Sequence, residues 1–252
     1  MNLTKKIILG VLVYLTFMLV LLPADIAVKL APLPTNMNIS GVSGSIWSGK
    51  IESVSIGQRQ IDQVQWQLSP WGLLLGKVTL DLVIGNPTSP VNGKGLVTLS
   101  MSGIDAEGLK FDAPSRFLLG ETRLPFRTEI AGELSVFIGT LQQGLPWCEQ
   151  LDGKLFLNAV RVKNQFGHYP LGDIELALAC IDGNVEIRSN EEMNQLGFNG
   201  SVLLQAEKNV VISAKIKETA SQPDDLKKAL TFLGKKDSNG YYPIKYQGII
   251  PL

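Results

Sequence analysis

The sequence predicts a mainly β protein: a single N-terminal transmembrane helix, then an exported antiparallel β-sheet domain built from two similar β units, with one short helix late in the chain. Three observations predict it. Residues 7–22 form an apolar run broken only by Gly10, Tyr14 and Thr16 and headed by Lys5 and Lys6. Beyond it, short stretches alternate apolar and polar residues between clusters of Gly, Pro, Asn and Asp. Helical spacing returns only in residues 221–233. The expected organisation is a cytoplasmic N-terminus (1–6), a transmembrane signal-anchor (7–22), a linker (23–34), a first β unit (35–145) and a second (146–252).

As a helix, residues 7–22 would measure about 24 Å, and flanking residues supply the remainder of a hydrocarbon core of about 30 Å. Two lysines before the run and none within it place the short N-terminus in the cytoplasm and the bulk of the chain across the membrane. A cleavable export signal is the alternative. Ala24-Asp25-Ile26-Ala27 lacks the Ala-x-Ala spacing of a cleavage site, which favours the anchor. Both readings export the rest of the chain.

Charged residues make up 18 per cent of the chain, and 23 basic side chains balance 23 acidic ones. At whole-chain level this excludes the electrostatic footprint of a nucleic-acid or anionic-lipid binder. Cys148 and Cys180 are the only cysteines, in a part of the chain destined for an oxidising space. They read as a disulfide, with two buried free thiols as the alternative. With one histidine and no Cys-x-x-Cys spacing, a structural zinc site is not expected, and no cofactor is implied.

Pro23, Pro32 and Pro34 suggest a short, stiff linker. Glycines 41, 44 and 49 then precede Ile51, Val54 and Ile56, which reads as a strand with a close approach or a bulge. Gln63, Gln65 and Gln67 alternate with Val64, Trp66 and Leu68, the signature of a half-buried strand. Ser69-Pro70-Trp71-Gly72 breaks it, and Gly76 opens a second strand carrying Val78, Leu80, Leu82 and Ile84 on one side. Further strands are expected near residues 96–100, 108–111 and 126–136.

The second block begins after Pro146. Residues 153–157 resemble the strand entry at Gly44, residues 171–178 resemble 61–68, and residues 183–187 answer 76–80. The nearly constant offset reads as an internal duplication of a β unit. Residues 202–216 predict a hairpin around Lys208-Asn209, and residues 244–250 a closing strand. Between them, Ser221 reads as a helix cap, followed by Pro223, Asp224 and Asp225 in the first turn and Leu226, Ala229, Leu230 and Leu233 at helical spacing. Helix is therefore expected only in the anchor and this insert.

Residues 44–50, Gly-Ser-Ile-Trp-Ser-Gly-Lys, match the first seven positions of a phosphate-binding loop. Ile51 stands where a metal-holding Ser or Thr is required, and a strand rather than a helix follows the lysine, so nucleotide binding is set aside. His168 sits in a turn-like Phe-Gly-His-Tyr-Pro, no Gly-x-Ser-x-Gly elbow occurs, and Asp and Glu are scattered among strands, so no enzyme is expected. Trp47, Trp66, Trp71 and Trp147 read as fillers of a sheet core, with a ligand groove as the alternative.

Two elements carry a resemblance. Gly44-Ser-Ile-Trp47-Ser-Gly49 and Trp66-Gln-Leu68-Ser-Pro70-Trp-Gly-Leu73-Leu74-Leu-Gly76 stand behind an N-terminal anchor, with a cysteine pair in the second half. The chain resembles the type II secretion system protein N family, also called general secretion pathway protein N. The resemblance implies a non-catalytic inner-membrane component of the apparatus that exports folded proteins across the outer membrane. It implies partners among the inner-membrane platform proteins and the secretin, and a structural or interface role for Gly44, Trp47, Gly49, Trp66, Leu68, Pro70 and Gly76. Part of the pattern is also similar to AsmA-like proteins. That alternative implies periplasmic lipid handling, with Trp66, Leu68, Leu80 and Leu82 facing acyl chains.

Overall fold

The computed structural model describes residues 3–30, 34, 36–86, 88–120 and 125–249. Pro32 of the expected linker and Ile250 of the expected last strand lie outside the described residues. The chain opens with helices α1 (Leu3–Val20) and α2 (Ala24–Leu30), then strands β1 (Met37–Ser40), β2 (Ser43–Gly44), β3 (Ser48–Ile56) and β4 (Arg59–Ser69). Helix α3 (Pro70–Leu74) leads to β5 (Val78–Ile84), β6 (Asn92–Ser100), β7 (Gly103–Pro114) and helix α4 (Ser115–Leu119). Then follow β8 (Glu129–Gln143), β9 (Cys148–Asn164), β10 (Gly167–Ile181), β11 (Asn184–Ser189), β12 (Phe198–Leu204), β13 (Asn209–Lys217), helix α5 (Asp224–Leu230) and β14 (Tyr241–Ile249).

All fourteen strands join one antiparallel sheet, and from β3 onward their order in space is their order in sequence. β1 pairs with β3, and the two-residue β2 pairs with the start of β3. Every later strand is hydrogen-bonded to its predecessor, so the turns fall alternately at two ends of the sheet. The expected boundary at 145/146 falls in the turn between β8 and β9, which pair along their length. The sheet is continuous across it.

Helix is not confined to the anchor and the late insert, as alternation alone suggested. Short helices occupy chain reversals where a proline at or before the first turn pre-sets the backbone. Pro70 is the first residue of α3, Pro114 is the N-cap of α4, and α2 follows Pro23 with Asp25 and Lys29 paired at 2.7 Å. The strand expected from Phe126 begins instead at Glu129, because residues 125–127 make a 3-10 turn.

In the late insert, Ser221 does not cap the helix. Its hydroxyl donates to the carbonyl of Gln195 at 3.0 Å, and Pro223 occupies the cap position. α5 and the following turn lay Leu230, 2 per cent exposed, against Ile216 of β13 and Tyr242 of β14, with Leu226 and Ile244 around them. This small core fastens the helix to the last strands.

α1 is an 18-residue helix whose apolar side chains, Ile7, Leu12, Phe17 and Val20 among them, are exposed. Its axis measures about 27 Å, and the stretch beyond Lys6 about 21 Å. Among the described residues no helix is by itself long and apolar enough to cross a membrane.

Cys148 and Cys180 are joined as a disulfide with their Cα atoms 6.1 Å apart. The bridge ties the start of β9 to the end of β10, closing that long hairpin at its open end. At the opposite end Glu191, in the β11–β12 loop, accepts hydrogen bonds from Lys217 of β13 and Tyr241 of β14. The Lys217 ammonium, and after it the Tyr241 hydroxyl, hold the Glu191 carboxyl below the usual carboxylate range.

Two outcomes follow from these ties. Replacing both Cys148 and Cys180 by Ser removes a covalent loop closure and should lower unfolding free energy by about 2–4 kcal/mol, read from urea titration under oxidising conditions. A carboxyl with a depressed native pKa contributes stability above its unfolded pKa and loses it as pH falls through the native value. The urea midpoints of wild type and Glu191→Gln should therefore differ at neutral pH and converge in acid. Midpoints equally far apart at both pH values would contradict the tie.

Candidate functional site

The quoted glycine-tryptophan and tryptophan-proline-glycine elements come together at one corner of the sheet. Gly49 and Trp66 stand opposite each other on β3 and β4. A Cβ on Gly49 would lie 2.3 Å from the Trp66 ring, so only glycine lets the indole cross the strand there. The indole N–H then donates to the carbonyl of Ile46 at 3.1 Å, and the Leu68 N–H donates to the carbonyl of Trp47 at 2.7 Å. Gly44 pairs with Gly49 at a backbone φ of 93°, which L side chains rarely adopt.

The second half of the pattern builds the adjoining reversal. Pro70 starts α3, Gly72 accepts the N–H of Lys77 at 2.9 Å, and Gly76 supplies the left-handed residue (φ 70°) that returns the chain to β5. The same corner holds the N-terminal helices. The Ile46 N–H donates to the carbonyl of Leu22 at 3.1 Å, Pro23 bridges to Ser45, and Ala24 is 1 per cent exposed. Gly44, Trp47, Gly49, Trp66 and Leu68 thus form the joint between α1–α2 and the sheet, with Pro70 and Gly76 in the next turn. The Cys148–Cys180 bridge lies on β9 and β10, away from this corner.

From that joint an apolar face runs across the sheet. Residues opposite one another in an antiparallel pair share a face. Trp66 faces Leu82, and Leu82 faces Gly95, over which Leu109 of β7 lies. Leu109 faces Ile138, Ile138 faces Gly153, and Gly153 faces Leu178. Leu178 leads to Ile187, Val202, Ile212 and Tyr246 on β14. A parallel row joins Leu68 to Leu80, Val97, Ala106, Leu141 and Leu151. Trp66, Leu68, Leu80 and Leu82 therefore share the apolar face as two registered pairs.

The opposite face carries Gln65, Gln67, Asp81 and Lys94, then Lys154 paired with Glu175 at 2.8 Å. The Glu175 carboxylate holds the Lys154 ammonium above its usual range. Strands touch chiefly their ladder neighbours, and the helices sit near the rims: α3 by β5, α4 by β7 and β8, α5 by β10. The apolar rows are only partly covered.

The tryptophans do not share one role. Trp47 and Trp66 are half-buried in the joint, but Trp71 is 75 per cent exposed on α3 and Trp147 is partly exposed in the β8–β9 turn. The expectation that all four fill the core is corrected, because Pro70 and Pro146 put the latter two in turns. Sequence reading also missed a cleft of about 690 Å³ between α5 and the β9–β10 turn, lined by Phe126, Phe166, Tyr169 and Phe232. Phe126 and Phe166 meet edge-on at 5.3 Å. Alternation carries no signal for it, since it forms where three turns converge. His168 lies on β10 beside this cleft, its backbone N–H donating to Asp225 at 3.2 Å. Among the described residues no three His, Cys, Asp or Glu side chains gather as a metal site.

Fold and surface together define a single-sheet protein whose glycine-tryptophan and tryptophan-proline-glycine elements meet at one corner. The comparisons name the family. A sequence model of the type II secretion system (T2SS), protein N, matches residues 35–245. The type II secretion system protein N of Aeromonas hydrophila is 33 per cent identical over 240 residues, covering 94 per cent of both chains. The protein of that name from Vibrio cholerae serotype O1 is 27 per cent identical over 237 residues, again covering 94 per cent of both. No solved structure matches the chain. This chain belongs to the type II secretion system protein N family. It is a component of a type II secretion system, and no enzyme family is indicated.

The joint has a direct test. Gly49→Ala forces a methyl group into the Trp66 ring and the carbonyl of Ser43, 2.8 Å away. The expected cost is about 1–3 kcal/mol of stability, with a red shift of tryptophan emission as the indole leaves Ile46. Unchanged stability and emission would show that Trp66 does not depend on the glycine.

Proposed function

We propose that this protein is a non-catalytic inner-membrane component of the type II secretion system, with its sheet in the periplasm and its partners among the inner-membrane platform proteins and the secretin. The observation that carries the reading is the apolar helix α1, whose exposed side chains have no place in water, fixed through Leu22 and Pro23 to the sheet of a chain that matches the family. Lys5 and Lys6 would remain on the cytoplasmic side, and Leu21 and Leu22 would extend the span. A helix somewhat shorter than the hydrocarbon core is accommodated by local thinning and by lysine side chains reaching to the interface. The disulfide fits a periplasmic location. Residues 1–6, 7–22 and 23–34 are then cytoplasmic tail, anchor and linker, the last containing α2. Residues 35–145 and 146–252 read as two copies of one β unit, β3–β4–β5 answered by β9–β10–β11.

A second reading is favoured by one observation: among the described residues the apolar rows that cross the sheet are only partly covered. A sheet of that kind also suits lipid handling, the acyl chains lying along Trp66, Leu68, Leu80 and Leu82.

Photo-crosslinking in living cells, with probes at Gln65, Lys77 and His168, separates the two. Adducts with secretion-apparatus proteins are expected, together with a secretion defect in a deletion strain. Adducts dominated by phospholipid, with normal secretion, would overturn the first reading in favour of the second.

A further inference from the structure

An antiparallel meander gathers its turns at two ends, and here the two ends differ in chemistry. One end holds residues 41–47, 70–77, 101–102, 144–147, 182–183 and 205–208, with the last residue of β14. This is also the end from which α1 departs, through the Ile46–Leu22 hydrogen bond and the Pro23–Ser45 bridge. Its turns expose Trp71 (75 per cent), Leu75 (80 per cent), Met101 (102 per cent) and Leu145 (94 per cent). Charges there are few: Lys77, Asp182, Glu207 and Lys208. The far end instead carries Arg59, Arg116, the Glu191–Lys217 tie and the acidic and basic pairs around α5. Its exposed Phe126, Phe166 and Phe232 gather at a cleft beside α5.

We propose that the α1 end of the sheet rests on the phospholipid surface, its turns dipping Trp71, Leu75, Met101 and Leu145 into the interface of the membrane that α1 enters. The proposal rests on the anchor reading of α1. The choice of lipid over a protein partner follows from spacing. Strands stand about 4.8 Å apart, so turns on alternate strand pairs lie roughly 10 Å from one another along the edge. The anchors lie along the end from which α1 departs, and a bilayer surface accepts apolar anchors dispersed along a line. Trp and Leu beside few charges suit the headgroup boundary, where an indole buries its ring and keeps its N–H wet. The same posture stands the strands on the membrane. The 17 residues of β9 span up to about 55 Å, which carries the charged end far from the bilayer.

The described chain has no free cysteine, so single cysteines can be introduced and labelled with an environment-sensitive fluorophore. The full chain is reconstituted in vesicles of phosphatidylethanolamine and phosphatidylglycerol, with and without a quencher on the acyl chains. Labels at Leu75→Cys, Met101→Cys and Leu145→Cys are expected to shift to the blue and lose intensity to quencher lipid. Labels at Gln165→Cys and Asn239→Cys, at the far end, are expected to stay water-like. Equal responses at the two ends, both wet or both quenched, overturn the proposal. A label at Val13→Cys in α1 reports the anchor separately: if it is not quenched the anchor reading fails, whatever the turns do.

Discussion

The structure depends on one constraint: in an antiparallel ladder, residues that face each other across two strands share a side of the sheet. Once Trp66 is registered with Leu82, every later pairing must keep the apolar set on that side or invert it. The chain keeps it from β4 to β14, through bulges at Gly95, Gly132 and Gly172. Register is therefore the means by which local alternation becomes one amphipathic surface.

That constraint explains why the fold was largely legible. The polar-apolar alternation of residues 63–68, the strand after Gly76 and the hairpin around Lys208-Asn209 each appear as read. The cysteine pair is bridged. What was illegible lies where alternation stops. Ser221 had the chemistry of a cap, but the carbonyl of Gln195 claims its hydroxyl and Pro223 sits at the cap. A tertiary hydrogen bond overrode a local preference. The role of Gly49 was legible only as a close approach, because what approaches is a side chain seventeen residues away.

The site was legible in parts for the same reason. Trp66, Leu68, Leu80 and Leu82 share a face because period two assigns faces without tertiary information. Whether anything covers that face is a tertiary fact, and so is the gathering of Gly44, Trp47, Gly49 and Trp66 into a joint with Leu22 and Pro23. Sequence also assigned the four tryptophans one fate, but turn geometry gives them two.

The joint also orders the N-terminal margin. Trp66 is at once a member of the apolar row and the ring clamped between Gly49 and Ile46, next to the point where α2 begins. The N-terminal helices and the sheet are linked there through Leu22, Ile46 and the indole, and through Pro23 and Ser45. At the opposite margin, among the described residues, β14 is paired on one side only, and Pro243 and Lys245 on it discourage a further strand from joining. One margin is tied to the N-terminal helices at Ser45, beside β2, and the other ends in a strand whose proline and lysine disfavour growth of the sheet, so the faces and the turn-bearing ends are the surfaces that the proposed partners would meet.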